Sequence, residues 1–249
     1  IDAGVSGDTT AGGRARIHLF EGGIYAEMMR NRNFDDTKSA KEVLVAGFVM
    51  RLQEDEAAAR RIQFQLLPEN DKQYRNYRFS RHLLTSQYLS GDFVDYFAID
   101  GDHLGFYIAD VSGHGVSSAF VTVMLKSYMG RYRELHRQNR DKGILNPAET
   151  LSRLNREIFG CRMDKYLTMF YGIIHWSNNR LRYSSGGQFP FPILFDGDRA
   201  AYIGKKSLPI GLFDFASYQT ETLDLPPQFV LALISDGILE EITDSQPPV

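Results

Sequence analysis

The chain is poor in features that would commit it to several common ways of life. A single cysteine, Cys161, excludes an intrachain disulfide and any cysteine-built zinc cage, which suits a reducing compartment. No apolar run reaches the roughly 20 residues that cross a bilayer, so no membrane association is expected. The N-terminus lacks a basic stretch followed by an apolar one, so no signal peptide is expected and the location expected is cytoplasmic. A net charge of −3 offers no general attraction to nucleic acid, and none is expected as a partner. What remains is ample for a core: 249 residues, 43% of them hydrophobic, fit one large domain or a domain with an appendage.

Three stretches follow in order. Residues 1–37 begin with the small, Gly-rich IDAGVSGDTTAGG, which reads as a mobile linker, and have no assigned role. Within them GGIYAEMMRNRNF resembles an N-terminal motif of α-arabinofuranosidases, but the rest of the chain shows neither (β/α)₈ alternation nor a paired-glutamate frame. Residues 38–68 read as a linker helix, with Ser39 and Glu42 as a capping box and Pro68 as its stop. Its apolar stripe, interrupted by Glu56 and Gln63, suits either a homodimeric coiled coil or packing on its own domain. Residues 69–249 read as the main domain.

In that domain, 92–99 and 103–110 alternate like strands around Asp100-Gly101, a strong hairpin signal. Asp92 opens the first strand and Asp110 closes the second, so a hairpin would bring both to its open end. The chain then passes through Ser112, Gly113, His114 and Gly115 into a helical pattern whose free N–H groups would favour an anion. Asn146-Pro147-Ala148-Glu149 predicts a second helix to about 160, and strands are predicted at 168–176, 180–185, 192–195, 218–225 and 229–235. The fold class expected is α+β, a two-layered sheet with helices outside.

Asp236 ends the apolar FVLALISDG just as Asp110 ends its strand. Three carboxylates at strand ends before glycine turns, without paired His or Cys, point to Mg²⁺ or Mn²⁺. The Val111 carbonyl is a plausible further ligand, and Asp95 either holds a metal-bound water or is a surface charge. Gly113 and Gly115 are candidate anion-binding positions. His114 is either an acid for a leaving alkoxide or a residue that orients a water or caps the helix. Lys126, Arg131, Arg133, Arg137, Arg140 and Lys142 make the distal half of the following helix basic, as a solvated face or a partner surface.

The ordered series GDFVD, DVSGHG, LPIGL and SDGILE, with IQFQLLP upstream and TMFYG between, resembles the SpoIIE/RsbU branch of the PPM metal-dependent serine/threonine phosphatases over about residues 55–243. The resemblance implies an αββα sandwich of two antiparallel sheets and a centre of two Mn²⁺ or Mg²⁺ ions. It implies that Asp110 bridges both metals and Val111 serves one through its carbonyl, with Asp92 and Asp236 serving the other or its waters. It also implies a phosphorylated protein substrate of the anti-anti-sigma (STAS) type, in bacterial stress or sigma-factor signalling. The helix ending in IQFQLLP resembles a switch helix joined to an upstream sensor or receiver domain.

This chain departs from the family pattern in several places. A further aspartate usual after the SDG motif is not reached by Val249, so one metal would lack a ligand. Ser185-Gly186-Gly187-Gln188 stands where NAGH is common, no phosphate-gripping arginine precedes Asp92, and His114 is shifted along its turn relative to eukaryotic relatives. The alternative is therefore a catalytically weak or inactive adaptor that binds a sigma factor or its regulator, resembling the output domain of RssB-type response regulators.

Overall fold

The structure is a computed structural model that describes residues 50–51, 54, 57–82 and 90–237. Expectations for residues 1–37, and for the helix start with its Ser39–Glu42 capping box, lie outside the described residues. Asp55–Val249 makes one compact unit.

Helix α1 covers 57–66 and stops ahead of Pro68, which cannot continue it. A small hairpin follows, β1 (Lys72–Tyr74) with β2 (Tyr77–Phe79). Strands β3 (Asp92–Ala98) and β4 (His103–Val111) form the predicted hairpin. Its turn is wider than two residues: Asp100 Oδ1 accepts the backbone N–H groups of Asp102 and His103, an Asx turn that fixes the reversal. Helix α2 (Val116–Arg137) comes next, then α3 (Pro147–Gly160), where Asn146 caps the N–H of Glu149 and Pro147 takes the first helical position.

The remaining strands are β5 (Leu167–His175), β6 (Arg180–Gly186), β7 (Ile193–Phe195), β8 (Ala200–Tyr202), β9 (Glu221–Asp224) and β10 (Val230–Ala232). They build two larger sheets, one of five strands in the order β3-β4-β5-β6-β9 and one of three in the order β10-β7-β8, antiparallel throughout.

Each face of the five-stranded sheet has its own core. Phe93, Tyr107 and Met169 pack beneath Val121 and Leu125 of α2 and Leu151 and Leu154 of α3. On the opposite face Tyr96, Phe106, Phe170 and Leu181 meet Leu194 of β7 and Leu231 of β10. The β1–β2 hairpin closes this second core by stacking Phe79 on Tyr96 at 5.0 Å between ring centres. Burying a Phe or Leu completely contributes about 1.5–3 kcal/mol, so these two layers carry the fold. The expected sandwich of antiparallel sheets with helices outside is what forms.

The predicted strands at 218–225 and 229–235 shorten to β9 and β10, and β1, β2 and β8 were not anticipated. All three of the latter have only three residues, too few for an alternation to register. No described helix is long and apolar enough to cross a membrane.

Candidate metal and phosphate site

The β3–β4 register sets Asp92 directly opposite Asp110. Opposed residues of an antiparallel pair point to the same face, so both carboxylates lie on one side of the sheet at the hairpin's open end. Asp95 is an odd number of residues away from Asp92 and therefore projects from the other face. It is buried there, and Lys126 Nζ of α2 donates to its Oδ2 at 2.7 Å. Burial raises its pKa, an effect that Lys126 opposes. This placement fits neither a surface charge nor a residue beside a metal-bound water; Asp95 ties α2 to β3.

Gly91 shapes the ground between the acidic residues. A Cβ on Gly91 would collide with the Val111 carbonyl oxygen and would stand 3.0 Å from Asp110 Oδ1 and 3.3 Å from the Gly113 carbonyl oxygen. Three oxygens thus surround one small space that only the absence of a side chain keeps open. The Val111 N–H also donates to the Gly91 carbonyl at 3.1 Å, which locks the strand ends together.

The loop that follows depends on two left-handed glycines, Gly113 (φ 74°) and Gly115 (φ 81°). Gly115 is the N-cap of α2, with no side-chain cap and no acidic residue in the first turn, so the expectation that His114 caps the helix is not met. His114 is exposed on the loop itself. Lys165, which sequence reasoning passed over, holds this loop: its Nζ donates to the Ser112 carbonyl at 2.8 Å and to Ser118 Oγ at 3.2 Å.

Asp236 comes from the second sheet, just beyond β10, and is exposed. Burial raises the pKa of Asp92; the nearby Ser235 hydroxyl opposes this and the negative charge of Asp236 adds to it. Asp236 is therefore an electrostatic neighbour of Asp92, which brings the end of β10 to the open end of the β3–β4 hairpin. Among the described residues, Asp92 Oδ1 is buried without a hydrogen-bond partner.

Among the described residues, no group of three or more His, Cys, Asp or Glu side chains alone forms a metal cage. The oxygens available nevertheless fit a hard dication: an orphaned carboxylate oxygen, a second carboxylate opposite, and carbonyl oxygens around the cradle at Gly91.

Two buried glutamines support this arrangement. Gln63 of α1 donates from Nε2 to the Ser90 carbonyl at 2.7 Å and to Thr122 Oγ1 at 3.0 Å. Gln188 donates from Nε2 to the Ile234 carbonyl at 3.1 Å, two residues before Asp236. The only sequence signal for Gln63 was a polar interruption in an apolar stripe. Of the basic residues on α2, Lys126 and Arg131 are paired, with Asp95 and Glu157, and the Arg133 guanidinium lies 5.4 Å from the centre of the Phe97 ring.

Comparison with known proteins adds independent findings. The family described as "Stage II sporulation protein E (SpoIIE)" matches residues 100–248. Phosphoserine phosphatase RsbP of Bacillus subtilis is 29% identical over 160 residues, covering 62% of this chain and 38% of that protein. Phosphoserine phosphatase RsbU of the same organism is 28% identical over 159 residues, covering 63% and 45%. The chain thus spans less than half the length of these two relatives. The SiaA-PP2C domain of Pseudomonas aeruginosa superposes with a TM-score of 0.59 at 16% identity, over 78% of this chain and 75% of that one, a likeness of fold.

Proposed function

The chain belongs to the SpoIIE family, and from that premise we propose that it is a Mn²⁺- or Mg²⁺-dependent phosphatase of phosphoserine or phosphothreonine in a protein. The observation that carries this reading is the opposition of Asp92 and Asp110 beside the oxygen-lined cradle at Gly91. Asp92, Asp110, Asp236 and the Val111 carbonyl would hold the ions. When bound, such ions supply Lewis acidity toward phosphate oxygens and a water acidic enough to attack phosphorus near neutral pH.

The chain's own groups do the rest. The loop at Gly113–Gly115 and the free N–H groups at the start of α2 receive the phosphate. Exposed His114 gives a proton to the departing serine or threonine oxygen. Gln63, Lys165 and Gln188 keep the three converging segments in place.

The substrate in this reading is a phosphorylated anti-anti-sigma protein of the STAS type, in sigma-factor signalling in the cytoplasm, under an upstream sensor or receiver domain. Support comes from two relatives whose names include "phosphoserine phosphatase". The adaptor alternative draws on Gln188, which occupies the usual histidine position and is used to brace the Ile234 segment.

The test is Mn²⁺-dependent phosphate release from a phosphoserine protein, compared with Asp110→Asn. Turnover abolished by the substitution supports the enzyme. Protein binding without turnover in the wild type overturns it in favour of the adaptor.

A further inference from the structure

A second concavity lies away from the acidic cluster. It has a volume of about 330 Å³ and sits where β9 ends against β6, beside the segment 205–208. The size is within the ordinary range of ligand sites. Its inner wall carries Ser185, only 7% exposed, whose Oγ has no hydrogen-bond partner among the described residues.

The walls are fixed. Ser207 Oγ donates to the Ser185 carbonyl at 2.7 Å and accepts the Gly187 N–H at 2.9 Å. Gly204 (φ 119°) passes close behind this wall, where a Cβ would stand 3.5 Å from Ser185 Oγ. The rim is cationic and apolar together. Lys205 is paired with Glu221 at 2.6 Å, whereas Lys206 has no ion pair among the described residues. Leu208 and Phe215 are 37% and 73% exposed.

Ser185 lies on β6 at the same end of the sheet as Asp110, because β5 runs back from the Val111–Leu167 pair and β6 returns alongside it. Three strand spacings separate β3 from β6, roughly 14 Å, the span of about four residues of extended polypeptide.

We infer that this cavity is a docking subsite for an acidic residue with an apolar neighbour, located about four residues from the phosphorylated residue of the polypeptide substrate. The carboxylate meets Lys206 and the unpartnered Ser185 hydroxyl, and the apolar side chain lies on Leu208 and Phe215. The identity of the ligand as substrate rests on the phosphatase reading above; the affinity of the cavity for such a segment does not.

The experiment uses the full chain with Mn²⁺ and four phosphoserine peptides. Two carry Asp-Leu about four residues before or after the phosphoserine, and two carry Ala-Ala there. One of the Asp-Leu peptides should show kcat/KM about tenfold above its Ala-Ala counterpart, as expected for one charge-assisted contact. Lys206→Ala and Ser185→Ala should each erase that preference through KM while leaving hydrolysis of p-nitrophenyl phosphate unchanged. Ser185→Ala removes a hydroxyl that bonds to nothing among the described residues, so a merely structural serine would leave the preference intact.

Equal rates for Asp-Leu and Ala-Ala peptides, or a preference that survives both substitutions, would overturn the inference. If the wild type hydrolyses neither peptide nor p-nitrophenyl phosphate, the phosphatase reading has failed. Fluorescence anisotropy with the unphosphorylated peptides then decides the subsite: tighter Asp-Leu binding lost in Lys206→Ala upholds it, and equal binding refutes it. Protection by inorganic phosphate alone, with no peptide discrimination, would mark a phosphate site and also refute it.

Discussion

Asp92 and Asp110 face each other across the open end of one hairpin, eighteen positions apart in sequence and directly paired in register. Like charges so placed repel, and burial together with Asp236 holds the pKa of Asp92 above the ordinary carboxylate value. The site is thus arranged at a cost that a dication would relieve.

Replacing Asp92 by Asn should therefore separate stability from function. Its folded-state pKa is raised, so ionising it costs stability above that pKa, and the cost fades as pH falls through it. Asp92→Asn should raise the melting temperature of the metal-free protein near pH 7, with the gap closing toward pH 4. Mn²⁺ should stabilise the wild type more than the variant, and phosphate release should fall at least tenfold. Melting curves with and without Mn²⁺, at both pH values, check this.

Gly91→Ala tests the cradle. The added methyl group would meet the Val111 carbonyl and Asp110 Oδ1, and overpacking of this kind costs about 1–3 kcal/mol. Urea denaturation should show that loss. Half-saturation for Mn²⁺ in the phosphatase assay should move to higher concentration, because the oxygens around Gly91 are forced apart.

Gln63 reaches from α1 into the ground beneath Asp92. Its side chain is 4% exposed and bonds both the Ser90 backbone and Thr122. Gln63→Ala removes the partner of the Ser90 backbone and one of the two hydrogen bonds of the Thr122 hydroxyl, a loss of about 1–3 kcal/mol. Activity should fall further than the unfolded fraction explains, since Ser90 Oγ in turn accepts the Asp92 N–H. Comparing kcat at a temperature where both proteins are fully folded makes the distinction.

At the far end of the sheet, Asp100 supplies a pH-dependent tether. Burial pushes its pKa up, but the backbone N–H of Asp102 and the rings of His103 and His136 outweigh burial and hold it at about 2. The folded-state value lies below the unfolded one, near 3.8, so the stabilisation is complete above pH 3.8 and is lost as pH falls toward 2. Asp100→Asn should cost on the order of 1 kcal/mol at pH 7, since solvent screens a partly exposed carboxylate, and little near pH 2. Its kcat should match that of the wild type, because the residue sits at the opposite end of β3 from Asp92. Denaturation at the two pH values, with a rate measurement at neutral pH, tests both halves.

Much of this was legible without coordinates. The β3–β4 hairpin, the bounds of α3 and the placing of Asp92 opposite Asp110 follow from alternation, an Asp-Gly turn and an Asn-Pro cap, all local signals of fixed period. Asp95 shows the limit of such reading. Its parity sets it on the face away from Asp92, yet only the packing of α2 reveals Lys126 as its partner, 31 positions along the chain.

The order of residues determined the local geometry: which carboxylates end strands, where glycines release the backbone, and which faces are apolar. Tertiary structure alone decided that Asp236 comes beside Asp92, and that Gln63, Lys165 and Gln188 secure segments far from them in sequence. The physical reason is range. Periodicity and turn chemistry act over a few residues, whereas these contacts depend on how two sheets and a helical layer bury their apolar faces against one another.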